Sequence, residues 1–350
     1  MLLKSKKFLF IVTVLLIILL LVFPEVSKDG VTRGLIISSN VIIPSLFPFM
    51  VCVLILLKCK FSIKSKAINK FLYKIFGHNL DMFFVFLLSM IGGYPIGAKL
   101  LSELYNKKII NKKTANLMLM YCVNAGPAFV LSIANVNFNK NIAIILLASH
   151  LLSSIIIAII CGKKIKKSMI KSNVIKTDDL SFSEIFVKSV AEASASLLKI
   201  CSFIVLFSSI NAYVDYFLKN IPIIGIVTFL IEVTTGILNS KNFLFTSFLL
   251  GFSGFSIWFQ IFSLSNNIKV NYLLFVFGRI THGILSVIIT KLIITVFKVK
   301  ISVFNNGQIY NSELYSNNIV LFVSMFIMII ILLIFIYSKN NSGKLLKDVV

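Results

Sequence analysis

Long apolar runs limit the fold of this chain more than any other feature. Runs of about 20 apolar residues, long enough to cross a bilayer as a helix, recur along the sequence, and Leu35–Leu57 and Tyr272–Val296 are two of them. Only 13% of the residues are charged, against about 25% in soluble domains. A membrane β-barrel would show short segments of alternating hydrophobicity instead. The sequence therefore predicts an all-α polytopic membrane protein, with residues 1–350 in a single membrane domain.

The lengths of these runs predict about eight transmembrane helices. Between the first two spans, the polar stretch Glu25–Arg33 predicts a short outside loop. The polar stretch Lys298–Asn318 predicts another outside loop before the last span. The predicted spans are Phe8–Phe23, Leu35–Leu57, Thr114–Asn135, Ile142–Cys161, Leu197–Leu218, Phe243–Leu264, Tyr272–Val296 and Ile319–Tyr337.

Lysines gather in short loops beside the apolar runs, which is the positive-inside pattern of cytoplasmic loops. It predicts that both termini are cytoplasmic, together with the loops Lys58–His78, Asn106–Lys113 and Gly162–Ser181. Because the basic residues are distributed in this way, the net charge of +23 does not indicate a nucleic-acid partner. The dense patch Lys163–Lys176 is suited to anionic lipid headgroups.

Two further apolar segments contain helix breaks. In Asp81–Tyr105 the run Gly92-Gly93-Tyr94-Pro95-Ile96-Gly97 interrupts the helix with glycines and a proline. Basic residues flank both ends of this segment, so we predict a re-entrant hairpin that enters and leaves on the cytoplasmic side. Pro222–Leu238, interrupted at Glu232–Gly236, predicts a second re-entrant hairpin from the outside. Broken backbone at membrane depth occurs where it is buried in protein or lines a polar cavity.

The two halves of the chain resemble each other and predict an inverted-topology repeat with broken helices. Ser39–Leu56 aligns without gaps with Ala193–Ile210, and the break Asn124–Pro127 in the third span aligns with Phe252–Phe255 in the sixth. Corresponding spans are predicted to run in opposite directions, and transporters of this architecture bind their substrate near mid-depth at the broken helices. The predicted units are a first gate-like repeat (31–165), a second gate-like repeat (182–298) and a C-terminal transmembrane helix (319–337).

Polar and helix-breaking residues around the breaks form the candidate substrate-binding set. A carboxylate inside an apolar run, such as Glu232, is costly unless it is paired or faces a cavity, which suits a coupling cation, proton carriage or a salt bridge. Lys99 follows the first break, where its charge and the helix N-terminus favour an anion. Its alternatives are a pair with Glu103 and snorkelling to the cytoplasmic surface. The set is Gly92, Gly93, Pro95, Gly97, Lys99, Asn124, Gly126, Pro127, Glu232, Thr234, Thr235, Ser253, Gly254, Ser256 and Gln260.

Other residues that carry chemistry give weaker signals. Arg279 and His282 lie one helical turn apart near the start of the seventh span, and the sequence favours the cytoplasmic headgroups over a cavity for both. The chain has five cysteines and no CxxC, which indicates small buried hydrophobes rather than disulfides or a metal site. It contains no nucleotide-binding or hydrolase motif. We therefore predict neither an enzyme nor a cofactor or metal, and transport that is passive or coupled to H⁺ or Na⁺.

Five segments carry a resemblance to a known family, and it extends over approximately residues 8–298. Together they resemble the YlbJ, or SpoVV, sporulation integral membrane proteins. That family belongs to a wider group with nucleoside-recognition gate repeats, distantly similar to concentrative nucleoside transporters. The segments are GGYPIGAKLLSELY (Gly92–Tyr105), NAGPAFVLSI (Asn124–Ile133), EVTTGI (Glu232–Ile237), GFSGFSIWFQ (Gly251–Gln260) and GRITHGIL (Gly278–Leu285).

The resemblance implies a role in endospore formation, with dipicolinic acid moved from the mother cell across the outer forespore membrane. It places both termini on the mother-cell side. A planar aromatic dianion suits opposed half-helix N-termini, Lys99 and nearby hydroxyl and amide donors. The alternatives are a nucleoside-like solute and a non-transporting membrane scaffold for spore assembly. The predicted partners are a small organic anion and membrane lipid, not nucleic acid, and a homo-oligomer is left open.

Overall fold

The structure, a computed structural model, describes residues 6–59, 66–165, 181–218 and 224–297. The predicted loop Lys298–Asn318, the predicted span Ile319–Tyr337 and most of the patch Lys163–Lys176 lie outside these residues. The helices of the first half are α1 (Lys6–Val22), α2 (Pro24–Ile37), α3 (Ile43–Lys58), α4 (Lys66–Phe76), α5 (Leu80–Gly92), α6 (Tyr94–Asn106), α7 (Lys112–Leu119), α8 (Pro127–Asn137) and α9 (Lys140–Ile165). Those of the second half are α10 (Phe182–Leu218), α11 (Ile224–Ile231), α12 (Val233–Asn239), α13 (Phe243–Phe252), α14 (Gly254–Leu264) and α15 (Tyr272–Phe297).

The regular elements of the described residues are all helical, which confirms the predicted all-α fold. Within the same residues, five helical stretches are long and apolar enough to cross a membrane. Large apolar side chains remain exposed on them, as expected of surfaces that face lipid rather than water. The five stretches are Pro24–Leu56, Lys140–Ile165, Phe182–Leu218, Phe243–Leu264 and Tyr272–Phe297.

The predicted outside loop Glu25–Arg33 is wrong, because these residues form most of α2. α2 packs closely on α10: a Cβ added at Gly30 would lie 2.6 Å from the Cα of Ser209. The hydroxyls of Ser27 and Ser209 are 3.0 Å apart and hydrogen bonded. Small residues permit such an approach, so contact with α10 keeps this polar stretch helical. The helix continues through a π-helical turn, Ser38–Ile42, into α3.

The four predicted breaks are confirmed by the ends of the helices. Gly93 separates α5 from α6, and Glu232 separates α11 from α12. The longer segment Met120–Gly126 separates α7 from α8, and Ser253 separates α13 from α14. The two helices of each hairpin contact each other. That each hairpin returns to the membrane side from which it entered stays a prediction.

The start of α10 follows the predicted capping box. The backbone N–H of Ser181 donates to Glu184 Oε2 at 2.8 Å, and the backbone N–H of Glu184 donates to the Ser181 hydroxyl at 3.4 Å. This reciprocal pair satisfies backbone donors that a helix start leaves free. From there α10 runs without interruption for 37 residues, so the predicted interfacial stretch and the fifth span are one helix.

The elements follow the same order in both halves. Each half has a long helix that precedes a hairpin, then a broken span, then an unbroken helix of 26 residues, α9 or α15. The halves also interlock, since α6 contacts α14, α8 contacts α12, and α9 packs along α15. This order agrees with the inverted repeat expected of residues 31–165 and 182–298, which stays a prediction.

Candidate functional site

A small cavity lies between the broken helices of the two halves. Its wall takes residues from the first hairpin break, from both broken spans and from the second hairpin, and α10 and the end of the π-helical turn complete it. The predicted residues Gly93, Pro95, Gly126, Thr234 and Gln260 are therefore brought together. The complete lining is Ile42, Leu46, Gly93, Tyr94, Pro95, Gly126, Phe129, Ile200, Ile204, Thr234, Ile257 and Gln260.

This cavity is too small for an organic substrate in the conformation described. Its open space is about 20 Å³, which is room for about one water molecule, whereas ligand pockets measure roughly 300–1,000 Å³. Most of its lining side chains are apolar. An aromatic dicarboxylate would therefore enter only if the elements that carry the breaks moved apart.

The glycines of the first hairpin break allow its backbone to pack closely against the broken backbone of the third span. Gly93 has a φ of +84°, in the left-handed region that glycine adopts without strain. Gly97 lies against the third span, because a Cβ added there would be 1.6 Å from the carbonyl oxygen of Cys122. A Cβ added at Gly126 would lie 3.3 Å from the Gly93 nitrogen. Gly92 ends α5, and Pro95 and Pro127 lie in the first turns of α6 and α8.

The corresponding breaks of the second half also touch each other. A Cβ added at Gly254 would lie 3.1 Å from both the Leu230 carbonyl oxygen and the Val233 nitrogen, which flank the second hairpin break. Ser253 has a φ of +69°, and its hydroxyl donates to the Phe252 carbonyl. The indole N–H of Trp258 donates to the same carbonyl at 2.8 Å. The acceptor freed by this break is thus satisfied within the protein.

Tyr94, which is outside the predicted substrate-binding set, joins the first hairpin to the second half. Its hydroxyl donates to the carbonyl oxygen of Leu250 at 2.8 Å, close to the break between α13 and α14. Its side chain is buried and lines the cavity. Its position inside the break motif could have identified it from the sequence, because a buried tyrosine hydroxyl usually has a hydrogen-bond partner.

Glu232 is completely buried and caps the start of α12. Its two carboxylate oxygens accept hydrogen bonds from the backbone N–H groups of Thr234 and Thr235, at 3.0 and 2.6 Å. Such capping compensates the buried charge, because a helix N-terminus favours a carboxylate. No Lys or Arg in the described residues forms an ion pair with Glu232. The salt bridge considered for it is therefore absent from this part of the chain.

Lys99 pairs with Glu192 of α10 rather than with Glu103, which corrects the pair considered from sequence spacing. Its ammonium group lies 2.9 Å from Glu192, and that of Lys58 lies 2.9 Å from the other oxygen of the same carboxylate. Lys99 is not among the residues that line the cavity. The three charged groups therefore join α3 and α6 of the first half to α10 of the second.

The remaining predicted polar residues are buried around the cavity, with incomplete hydrogen bonding. Asn124 donates to the Tyr121 carbonyl at 2.7 Å, and its amide oxygen has no partner. Gln260 lies 3.5 Å from the Ser256 hydroxyl, and its amide oxygen also has no partner. Thr235 is half-buried, whereas Ser256 is fully buried.

Arg279 and His282 do not reach the headgroups, so the interpretation favoured from sequence is wrong. Both side chains are completely buried between α15 and the first half. The guanidinium of Arg279 donates to the carbonyl oxygens of Met120 and Val123, in the segment that separates α7 from α8. The Arg279 side chain points into the protein because the carbonyls of this non-helical segment are available as acceptors there. The spacing of residues along a helix cannot show that such acceptors are present.

His150 is a buried residue outside the predicted substrate-binding set. Its Nε2 accepts a hydrogen bond from the backbone N–H of Ala125 at 2.9 Å, within the same break. Its ring stacks on that of His282 with 4.5 Å between the ring centroids. A histidine in the middle of an apolar run, as here in α9, was a signal that could have identified it.

Comparison with known proteins gives one distant relative. The chain is 22% identical to the sporulation integral membrane protein YlbJ of Bacillus subtilis (strain 168), over 77% of this chain and 78% of that protein. No family model matches the chain, and no solved structure matches it significantly. The similarity supports the YlbJ-type resemblance, and together with the long apolar helices it supports a multi-pass integral membrane protein.

Proposed function

We propose that this protein transports a small organic anion, dipicolinic acid, across the outer forespore membrane during sporulation. The observation that carries the proposal is the convergence of residues from both hairpins and both broken spans on one cavity. Similarity to a protein named for sporulation supports the cellular setting. The proposed activity is transport rather than catalysis, with both termini on the cytoplasmic, mother-cell side.

Broken helices supply backbone groups suited to an anion. Half-helix N-termini present free N–H groups and a positive dipole end, and α6 and α8 begin at breaks whose residues Gly93 and Gly126 line the cavity. Asn124 and Gln260 retain unpartnered amide oxygens in the same region. Buried polar groups are normally satisfied, so water is expected to donate to these two acceptors, whereas the anion would bind the N–H groups. A planar dianion with a carboxylate at each end would suit these N-termini once the elements that carry the breaks had moved apart.

On this proposal the described conformation is a closed state, because its cavity is too small for the substrate. In transporters with inverted repeats, access alternates when one repeat rocks against the other around a fixed site. The same movement here would separate α6 from α14 and widen the cavity. A coupling cation, H⁺ or Na⁺, would act through Glu232, the buried carboxylate beside the site.

Uptake into proteoliposomes tests the proposal. Purified full-length protein should accumulate dipicolinate faster than liposomes without protein, and faster than it accumulates uridine. Thr234→Val, which changes a buried residue of the cavity wall, should slow uptake. Thr281→Val, which changes a threonine on α15 outside the cavity wall, should leave uptake unchanged. Absence of dipicolinate uptake under every pH and sodium gradient would overturn the proposal.

Two other functions give different outcomes in the same assay. A nucleoside transporter would accumulate uridine in preference to dipicolinate. A non-transporting scaffold for spore assembly would accumulate neither solute. The small size and apolar lining of the cavity in the described conformation are the observations that favour the scaffold, because a transported polar solute needs hydrogen-bonding groups at the cavity surface.

A further inference from the structure

Arg279 carries a buried positive charge that lacks a carboxylate partner. Its side chain is completely buried, and no carboxylate of the described residues lies within 4.0 Å of its guanidinium. The ring of Phe275 lies 5.7 Å from it on one side. A guanidinium stays charged in a protein, and an unpaired charge inside a membrane protein is costly and marks a functional position by default.

Backbone carbonyls occupy the place of an anion at this guanidinium. One terminal nitrogen donates to the Val123 carbonyl oxygen at 2.6 Å, the other donates to the Met120 carbonyl, and Nε has no partner. Neutral carbonyls are weaker acceptors than a carboxylate, which pairs with arginine through two parallel hydrogen bonds. A substrate carboxylate would therefore displace these carbonyls favourably if it could reach the guanidinium.

The segment Met120–Gly126 separates Arg279 from the cavity. The last residue of the segment, Gly126, lines the cavity, whereas the carbonyl oxygen of Val123 accepts a hydrogen bond from Arg279. Between them, Ala125 bonds His150, whose ring lies 6.4 Å from that of the cavity residue Tyr94. Movement of this segment would free the guanidinium and connect it to the cavity in one step.

Lys99, the cation that the sequence favoured for an anion, already has a carboxylate partner in the structure. Lys58 and Lys99 share the carboxylate of Glu192. We propose that Arg279, not Lys99, binds a carboxylate of the transported anion when the Met120–Gly126 segment moves. This inference rests on the proposed function and names the residue that selects for negative charge.

Binding to purified protein tests the inference with two ligands that differ in charge. The ligands are dipicolinate and its neutral diamide, pyridine-2,6-dicarboxamide. Arg279→Gln should weaken dipicolinate binding by about 10- to 100-fold, because charge-assisted hydrogen bonds are lost, and should change diamide binding little. The chain has one other arginine, Arg33, which is exposed. Arg33→Gln is the matched control and should bind both ligands like the wild type.

Three results would overturn the inference. The first is a folded Arg279→Gln variant with wild-type affinity for dipicolinate. The second is an equal loss of affinity for both ligands, which would mean that Arg279 only supports the fold. The third is a wild-type protein that neither binds nor transports dipicolinate, which would remove the proposed function as well. Should Arg279→Gln fail to fold, Arg279→Lys is measured instead. It keeps the positive charge but not the paired hydrogen bonds, so its affinity for dipicolinate should fall several-fold and its affinity for the diamide should not change.

Cys122 provides a second measurement on protein with Arg279 intact. It is completely buried within the segment that Arg279 holds. In a variant whose only cysteine is Cys122, dipicolinate should accelerate labelling by a maleimide, because binding displaces the segment, and the diamide should not. Equal labelling rates with and without dipicolinate, at a concentration that saturates binding, would contradict the proposed movement.

Discussion

The imidazole rings of His150 and His282 stack with their centroids 4.5 Å apart, where α9 packs along α15. His150 lies ten residues after the start of α9 and His282 ten residues after the start of α15, and both helices have 26 residues. Residues at equivalent positions of two repeats contact each other only close to the axis that relates the repeats. The histidine pair therefore marks where the axis of the proposed inverted repeat should pass.

The inverted repeat predicts a specific superposition. In an experimental structure, Ser39–Cys161 should superpose on Ala193–Val296 after rotation about an axis in the membrane plane. That axis should pass between His150 and His282, because each occupies the same position in its helix. A rotation about the membrane normal that superposed the halves better would contradict the inverted topology.

Replacement of His150 should destabilise the third-span break. His150→Phe removes the acceptor of the Ala125 N–H, and a buried donor left without a partner costs about 1–3 kcal/mol. Thermal unfolding of the purified protein should therefore shift to lower temperature. Leu152→Phe, on the exposed face of the same helix, is the control and should unfold like the wild type. An unchanged His150→Phe protein would show that the Ala125 bond carries no stability.

Replacement of Glu232 should affect both stability and coupling. Glu232→Gln keeps one acceptor oxygen but removes the charge that caps α12, which should cost about 0.5–2 kcal/mol. Uptake per folded molecule should lose its dependence on a pH or sodium gradient, measured in proteoliposomes. Glu184→Gln is a matched control, since Glu184 also accepts a backbone N–H at a helix start but is exposed. Uptake by Glu232→Gln that keeps the wild-type gradient dependence would exclude Glu232 as the coupling residue.

The carboxylate of Glu192 should contribute more stability than either lysine that it binds. Glu192→Gln leaves two ammonium groups without a partner, whereas Lys99→Gln leaves the Lys58 pair intact. Partly exposed pairs contribute about 0.2–1 kcal/mol each, so the difference between the variants should be of that order. Chemical denaturation of the two single variants and the double variant measures it. Effects that simply add in the double variant would mean that the Lys99 pair contributes nothing.

Local sequence was sufficient to predict the fold class and the breaks. The length of an apolar run determines whether a helix can cross a bilayer, and glycine and proline weaken a helix locally. Gly93 and Ser253 accordingly fall at helix breaks where the sequence placed them. The capping box of Ser181 and Glu184 was readable for the same reason, because its hydrogen bonds span only three residues.

Tertiary structure alone decided which charged groups form pairs and which segments are fixed by contacts with other helices. Lys99 binds Glu192 across 93 residues of sequence, and Arg279 reaches Val123 across 156. A polar stretch became α2 because Gly30 meets α10. Hydropathy and spacing describe one segment at a time, whereas these partners come together only when separate helices pack. The sequence by itself therefore determined where the chain is apolar and where it breaks, and packing determined which side chains satisfy the broken backbone.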